Sequence, residues 1–140
     1  MPDFLPDRLE AGTQNICGIA GLREGLRWVA GRGATAVRRQ EQRLLRQLAG
    51  ELARSDEAEL FLAEDPDAQA GVLSVRPRHG SGEALAEELG KRGVAVRAGL
   101  HCAPLAHKTA GTLETGTVRF SFSPFNTPAE ISRAAEITKN

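Results

Sequence analysis

The chain holds only two cysteines, Cys17 and Cys102, among its 140 residues. That is too few for a disulfide scaffold and leaves a reducing cytoplasm as the expected compartment. Excess charge of either sign is also missing: 18 basic residues balance 18 acidic ones. The electrostatic footprint that nucleic acid or an anionic membrane requires is therefore absent. No apolar run approaches the roughly 20 residues needed to span a bilayer. The opening Met1-Pro2-Asp3-Phe4-Leu5-Pro6-Asp7 has neither the basic nor the apolar region of a signal peptide. Repeats, linkers and low-complexity stretches are lacking as well. What remains is 41% hydrophobic and 26% charged, the composition of a soluble globular domain with enough chain to bury a core.

Residues 1–13 read as an extended or turn segment broken by Pro2, Pro6 and Gly12. Ile16, Ile19, Leu22, Leu26 and Val29 then fall at helical spacing, with Thr13 or Asn15 as N-cap, and Gly31-Arg32-Gly33 ends that helix. A second helix carries one apolar stripe of Val37, Leu44, Leu45, Leu48 and Leu52. From residue 57 the period shortens, and Leu60–Leu62, Val72–Val75, Val94–Arg97 and Thr117–Phe122 read as strands. A helix over Gly82–Leu89, capped by Ser81, lies between them. Thr127-Pro128-Ala129-Glu130 is a capping box that opens a last helix running to Asn140. The sum is an α/β domain: a small sheet with helices packed on it.

Polar function is densest between Arg97 and Lys108. A strand ends near Arg97, Gly99 breaks it, and Cys102 follows His101 in the next loop, where reactive residues concentrate. A cationic neighbour raises the thiolate fraction of a cysteine, as nucleophilic or sulfur-accepting chemistry requires. The residues alone leave Cys102 equally open to being a small buried hydrophobe beside a hydrogen-bonded loop histidine. Zinc on His101, Cys102 and His107 is set aside: neither a CxxC nor an HxxxH pair accompanies them. Arg119, mid-strand, needs an anionic partner, either a structural Asp or Glu or a substrate carboxylate. Gly12-Thr13-Gln14-Asn15, before a helix, is an ordinary cap or an anion site.

Three blocks together resemble one family. Pro6-Asp7-Arg8-Leu9-Glu10-Ala11-Gly12-Thr13-Gln14-Asn15 with Gly18-Ile19-Ala20-Gly21-Leu22 is similar to the P-x-R-x-E-x-G-T-x-N-x-x-G-I-x-G-L stretch of cysteine desulfurase-like class V aminotransferases. Arg97 to His107 resembles the family's R-x-G-x-H-C-A-P-L-A-H active-cysteine loop, and Gly116–Ser121 with Phe125-Asn126-Thr127 its following strand and turn. The resemblance implies the small C-terminal domain of a pyridoxal 5'-phosphate (PLP) transferase of fold type I. Its short, mainly antiparallel sheet would occupy residues 33–140, and residues 1–32 would be the tail of the large PLP domain. It implies that Cys102 takes sulfur from L-cysteine as a persulfide, leaving L-alanine, with His101 assisting proton transfer. Arg119 and Arg97 would hold the substrate carboxylate, Gly12 and Thr13 would reach the PLP phosphate across a homodimer interface, and Asn126 would hold a turn. A sulfur-acceptor protein is a further implied partner.

PLP enzymes also need a lysine to carry the cofactor. Leu105 stands where the family's lysine motif has serine, and none of Lys91, Lys108 and Lys139 fits that role. The expectation is therefore a truncated chain, Met1 being an internal methionine or the first residue of a fragment, inactive by itself and complete only with a large domain. Alternatives are a non-catalytic remnant that dimerises or carries sulfur, another class V aminotransferase, or a selenocysteine lyase. The first helix should expose apolar surface and make the isolated chain associate.

Overall fold

A computed structural model describes residues 2–10 and 12–139. Met1, Ala11 of the first motif and Asn140, the expected end of the last helix, lie outside them. The chain divides into two compact units, residues 1–36 and 37–140.

In the first unit a short 3-10 turn, Asp7–Leu9, precedes helix α1, Ile16–Arg32. Of the two expected caps it is Asn15 that serves, its Oδ1 accepting from the Gly18 N–H at 3.0 Å. The fit is tight, because a Cβ at Gly18 would come within 2.5 Å of the Asn15 amide nitrogen. Gly33, at φ 84°, ends the helix as the glycine cluster predicts. No residue of α1 is buried, and Ile16, Ile19, Leu22, Leu26 and Val29 all stand exposed.

The second unit begins in helix α2, Ala34–Leu52. Strands β1 (Ala58–Phe61) and β2 (Val72–Pro77), helix α3 (Gly82–Lys91) and strand β3 (Arg97–Gly99) follow. The chain ends with helix α4 (Pro104–Thr109), strand β4 (Thr117–Ser121) and helix α5 (Pro128–Thr138). The sheet runs β1-β2-β4-β3 with every neighbouring pair antiparallel. Alternation along the strands sends Leu73, Val75, Val118 and Phe120 to one face. There they join Leu44, Leu48 and Leu52 of α2, Leu89 of α3, and Ile131 and Ala135 of α5 in one core. Each such leucine contributes roughly 1.5–3 kcal/mol by burial. The opposite face carries a cross-strand row in register, Phe61, Ser74, Arg119 and Arg97. The short helix α4 neighbours that face.

Three local expectations change. The first strand is Ala58–Phe61 rather than Leu60–Leu62. The third strand is displaced from Val94–Arg97 to Arg97–Gly99. Val94 and Val96 do pack against the core, but as unpaired chain whose Val94 N–H turns back to the Leu89 carbonyl at 2.8 Å. Ladder bonds begin only where β4 is alongside, opposite Thr117–Arg119. The stretch after Cys102, read as loop, contains α4, started by Pro104 in its first turn. Asn126 holds the turn before α5: its Oδ1 accepts from the Ser123 N–H at 2.9 Å, beside the Thr127–Glu130 capping box.

Candidate active site

Cys102 sits on a tight turn that directly follows β3. The Ala103 N–H donates to the Leu100 carbonyl at 2.9 Å, and the two residues between them have positive φ, 51° at His101 and 59° at Cys102. That pairing is the signature of a type I′ turn, whose central positions usually hold asparagine and glycine. Here a histidine and a cysteine occupy them, each at a cost of about 1–2 kcal/mol. Strain of this kind persists only where the surroundings impose it, and it concentrates at functional sites. Cys102 is exposed and unbonded to Cys17, so it is not the buried hydrophobe that its residue type also allowed.

Two glycines make the turn possible at this place. Gly99 and Gly116 face each other at positive φ, 107° and 61°, and a Cβ on Gly116 would lie 2.9 Å from the Gly99 Cα. Backbone thus meets backbone where β3 and β4 begin to diverge, and the His101 ring is brought onto β4. Its Nε2 lies 3.1 Å from the Thr117 carbonyl oxygen and 3.3 Å from the Thr117 hydroxyl. A carbonyl only accepts, so Nε2 carries the proton and Nδ1 keeps its lone pair. Nδ1 is buried with no partner among the described residues. Burial holds His101 below the ordinary imidazole value of 6.5, the Thr117 bond opposes that, and Arg119, His107 and Arg97 push the same way as burial. His101 is therefore neutral at pH 7, a proton acceptor rather than a cation beside the thiol.

Arg119 is half-buried, and among the described residues its Nε is the other buried side-chain atom without a partner. No carboxylate among the described residues pairs with it, so the structural Asp or Glu that the sequence left open is not there. Directly opposite stands the exposed Arg97. Like charges facing across two strands destabilise a sheet unless an anion joins them. Arg97 and Arg119 thus pair across β3 and β4, and the turn that follows β3 carries Cys102 and sets His101 on Thr117, two residues from Arg119 along β4.

Sequence reasoning weighed His107 only as a zinc ligand and the end of a motif, and missed Thr112. His107 is buried, with Nδ1 2.7 Å from the hydroxyl of the buried Thr112, and its ring centroid is 5.8 Å from that of His101. A cavity of about 140 Å³ between α4 and the sheet is lined by Phe61, Ser74, Ala106, His107, Thr112 and Thr117, among others. The spacing of Thr117 from Arg119, two residues along one strand and hence one face, was a usable signal. Nothing local marked Thr112.

Gly12 and Thr13 belong to the first unit, exposed just before the Asn15 cap, with Gly12 at φ 109°. The three lysines stand apart in character from the cluster. Lys91 pairs with Glu87 at 2.8 Å on exposed α3, Lys108 is exposed on α4, and Lys139 caps the end of α5. Among the described residues no group of three or more His, Cys, Asp or Glu is arranged to hold a metal. No described helix is long and apolar enough to cross a membrane.

Known proteins share this sequence and fold. A protein of Xylella fastidiosa (strain 9a5c) named "Probable cysteine desulfurase" is 37% identical over 128 residues, 91% of this chain and 30% of that protein. The apo structure of a cysteine desulfurase from Thermococcus onnurineus NA1 matches 96% of this chain and 33% of its own, with a TM-score of 0.84 and 31% identity. The cysteine desulfurase CsdA (S-sulfonic acid) from Escherichia coli matches 94% and 32%, with a TM-score of 0.79 and 28% identity. The chain thus spans between a fifth and a third of the length of the curated relatives it matches, from 20% to 32%. The fold is that of cysteine desulfurase structures of PLP fold type I. The model of aminotransferase class V matches residues 3–134, and the chain belongs to that family of PLP-dependent enzymes.

Proposed function

We propose that this chain supplies the thiol-bearing, carboxylate-binding part of a cysteine desulfurase-like site. The observation that carries the reading is the pair of buried atoms without partners among the described residues, a donor at Arg119 Nε and an acceptor at His101 Nδ1. An amino acid offers what they lack, an anionic carboxylate and a transferable proton. Arg119 and Arg97 bind the α-carboxylate of L-cysteine. The Cys102 thiolate attacks the substrate sulfur: an S–S bond forms, the Cβ–S bond breaks, and its electron pair stays on carbon. That carbon then takes a proton to give L-alanine, leaving a persulfide on Cys102. Neutral His101 holds or returns the proton at Nδ1. A sulfur-acceptor protein would then take the persulfide sulfur.

PLP, when bound, supplies the electron sink for the substrate bonds that break. The residues of this chain fit the substrate side of such a site and not the cofactor-carrying side. Lys91 is paired on the surface, Lys108 lies on α4 and Lys139 caps α5, none of them on the turn that carries Cys102 or the strand that carries Arg119. We assign residues 1–32 to the tail of a larger PLP domain, where Gly12 and Thr13 reach the phosphate, and residues 33–140 to the small domain. The lysine is then furnished by chain outside these residues, and the assembly is a cytoplasmic homodimer. A second reading, a persulfide carrier without catalysis of its own, is favoured by the same lysines and the exposed thiol.

Two measurements test this. Adding L-alanine to the 15N-labelled chain should shift the Arg119 Nε–H resonance, and L-alaninamide should not. An identical response to both sinks the carboxylate assignment. Borohydride reduction after incubation with PLP should leave all three lysines unmodified by mass; cofactor fixed to one of them would make the chain self-sufficient.

A further inference from the structure

We infer that His107, anchored by Thr112, is a positioning residue for His101. Its buried ring is the wall that keeps the His101 imidazole turned with Nε2–H on the Thr117 carbonyl and Nδ1 free. The inference rests on the reading of His101 as the proton acceptor beside Cys102.

At six residues α4 is too short to hold its own conformation. Three bonds tie it to β4 instead. The Thr112 N–H donates to the His107 carbonyl at 2.9 Å, Thr112 Oγ1 meets His107 Nδ1 at 2.7 Å, and the Gly116 N–H donates to the Thr112 carbonyl at 2.8 Å. This path ends one residue before Thr117, the residue that receives His101. His101 is thus bounded twice by the same segment: at Nε2 by Thr117, and across its ring by His107, tilted at 43°. A hydrophobic residue would fill the same volume, but only a ring bonded through Nδ1 is locked in rotation. The charged and titratable groups around His101 are Arg97 on β3, Arg119 on β4, His107 on α4 and Cys102 in the turn.

If His107 were only a filler of the space under α4, replacing it would change stability and leave His101 alone. The experiment is an NMR titration of the imidazole 13C and 15N resonances in the whole chain, with the pH profile of Cys102 carboxymethylation read in parallel. In His107→Gln the His101 midpoint should rise toward the ordinary imidazole value, its Nε2–H tautomer should become mixed, and the alkylation profile should move with it. Thr112→Val, which unlocks the His107 ring at nearly constant volume, should shift His101 in the same direction. Thr112→Ser, which keeps the hydroxyl, should match the parent chain. A folded His107→Gln or Thr112→Val chain with unchanged His101 midpoint and tautomer overturns the inference. Should His107→Gln fail to fold, Thr112→Val decides. Neither cofactor nor substrate enters, so failure here leaves the carboxylate site standing, while loss of the L-alanine response undoes that reading alone.

Discussion

At the residue scale the strained turn makes stability and chemistry pull apart. Cys102 at φ 59° stands where glycine is at ease. Cys102→Gly should remove about 1–2 kcal/mol of strain and return part of it through the freer unfolded chain. A net gain of up to about 1 kcal/mol is expected in urea denaturation, with the thiol chemistry abolished. A destabilised variant would mean that the sulfur itself packs usefully, against its exposure. His101 gives a second expectation, in pH. Its folded form binds a proton less readily than the ordinary imidazole value of 6.5, so the unfolded chain protonates first as pH falls. Stability from this group is complete above 6.5 and is lost as pH drops from there through the lower folded value. His101→Asn, a residue that tolerates positive φ, should flatten the fall in urea midpoint just below pH 6.5. An unchanged slope would place the loss on the carboxylates.

At the element scale the junction of β3 and β4 is the most sensitive place in the sheet. Gly116→Ala meets the Gly99 backbone at 2.9 Å and must also hold φ 61°. Neither can relax independently, so a loss of about 2–4 kcal/mol is expected by chemical denaturation. A loss below 1 kcal/mol would show that the two strands part easily there. Leu48→Ala, under the sheet, should cost about 2–5 kcal/mol by cavity formation. The contrast between these two positions explains what could be read from sequence. Leu44, Leu48 and Leu52 declare their helix and their buried face through spacing alone, since the amphipathic stripe is local. Gly116 owes its meaning to the backbone of Gly99, 17 positions away, which no window along the chain contains. The same reason displaced β3: Val94 and Val96 are apolar in strand fashion, yet β4 decides where pairing starts. The site was legible through its motif blocks, Arg97 to His107 and Gly116 to Ser121. The hydroxyl bond from Thr112 that steadies it arises only from folding.

At the scale of the whole molecule, α1 presents Ile19, Leu22, Leu26 and Val29 to solvent, the last at 42% exposure and the others above 50%. An apolar stripe of this extent in water favours association. The purified chain should show a mass by light scattering that rises with concentration, and Leu22→Glu with Leu26→Glu should return it to that of one chain. A monomer at every concentration would mean that the chain tolerates the exposure unaided. Because anything that covers the stripe binds the folded state in preference to the unfolded, melting temperature becomes a property of the mixture rather than of the polypeptide. A hundredfold excess of a covering partner over its dissociation constant adds about 2.7 kcal/mol. In a cell the lifetime of this chain would then track the supply of that partner, copies made in excess being the ones that aggregate or are degraded first.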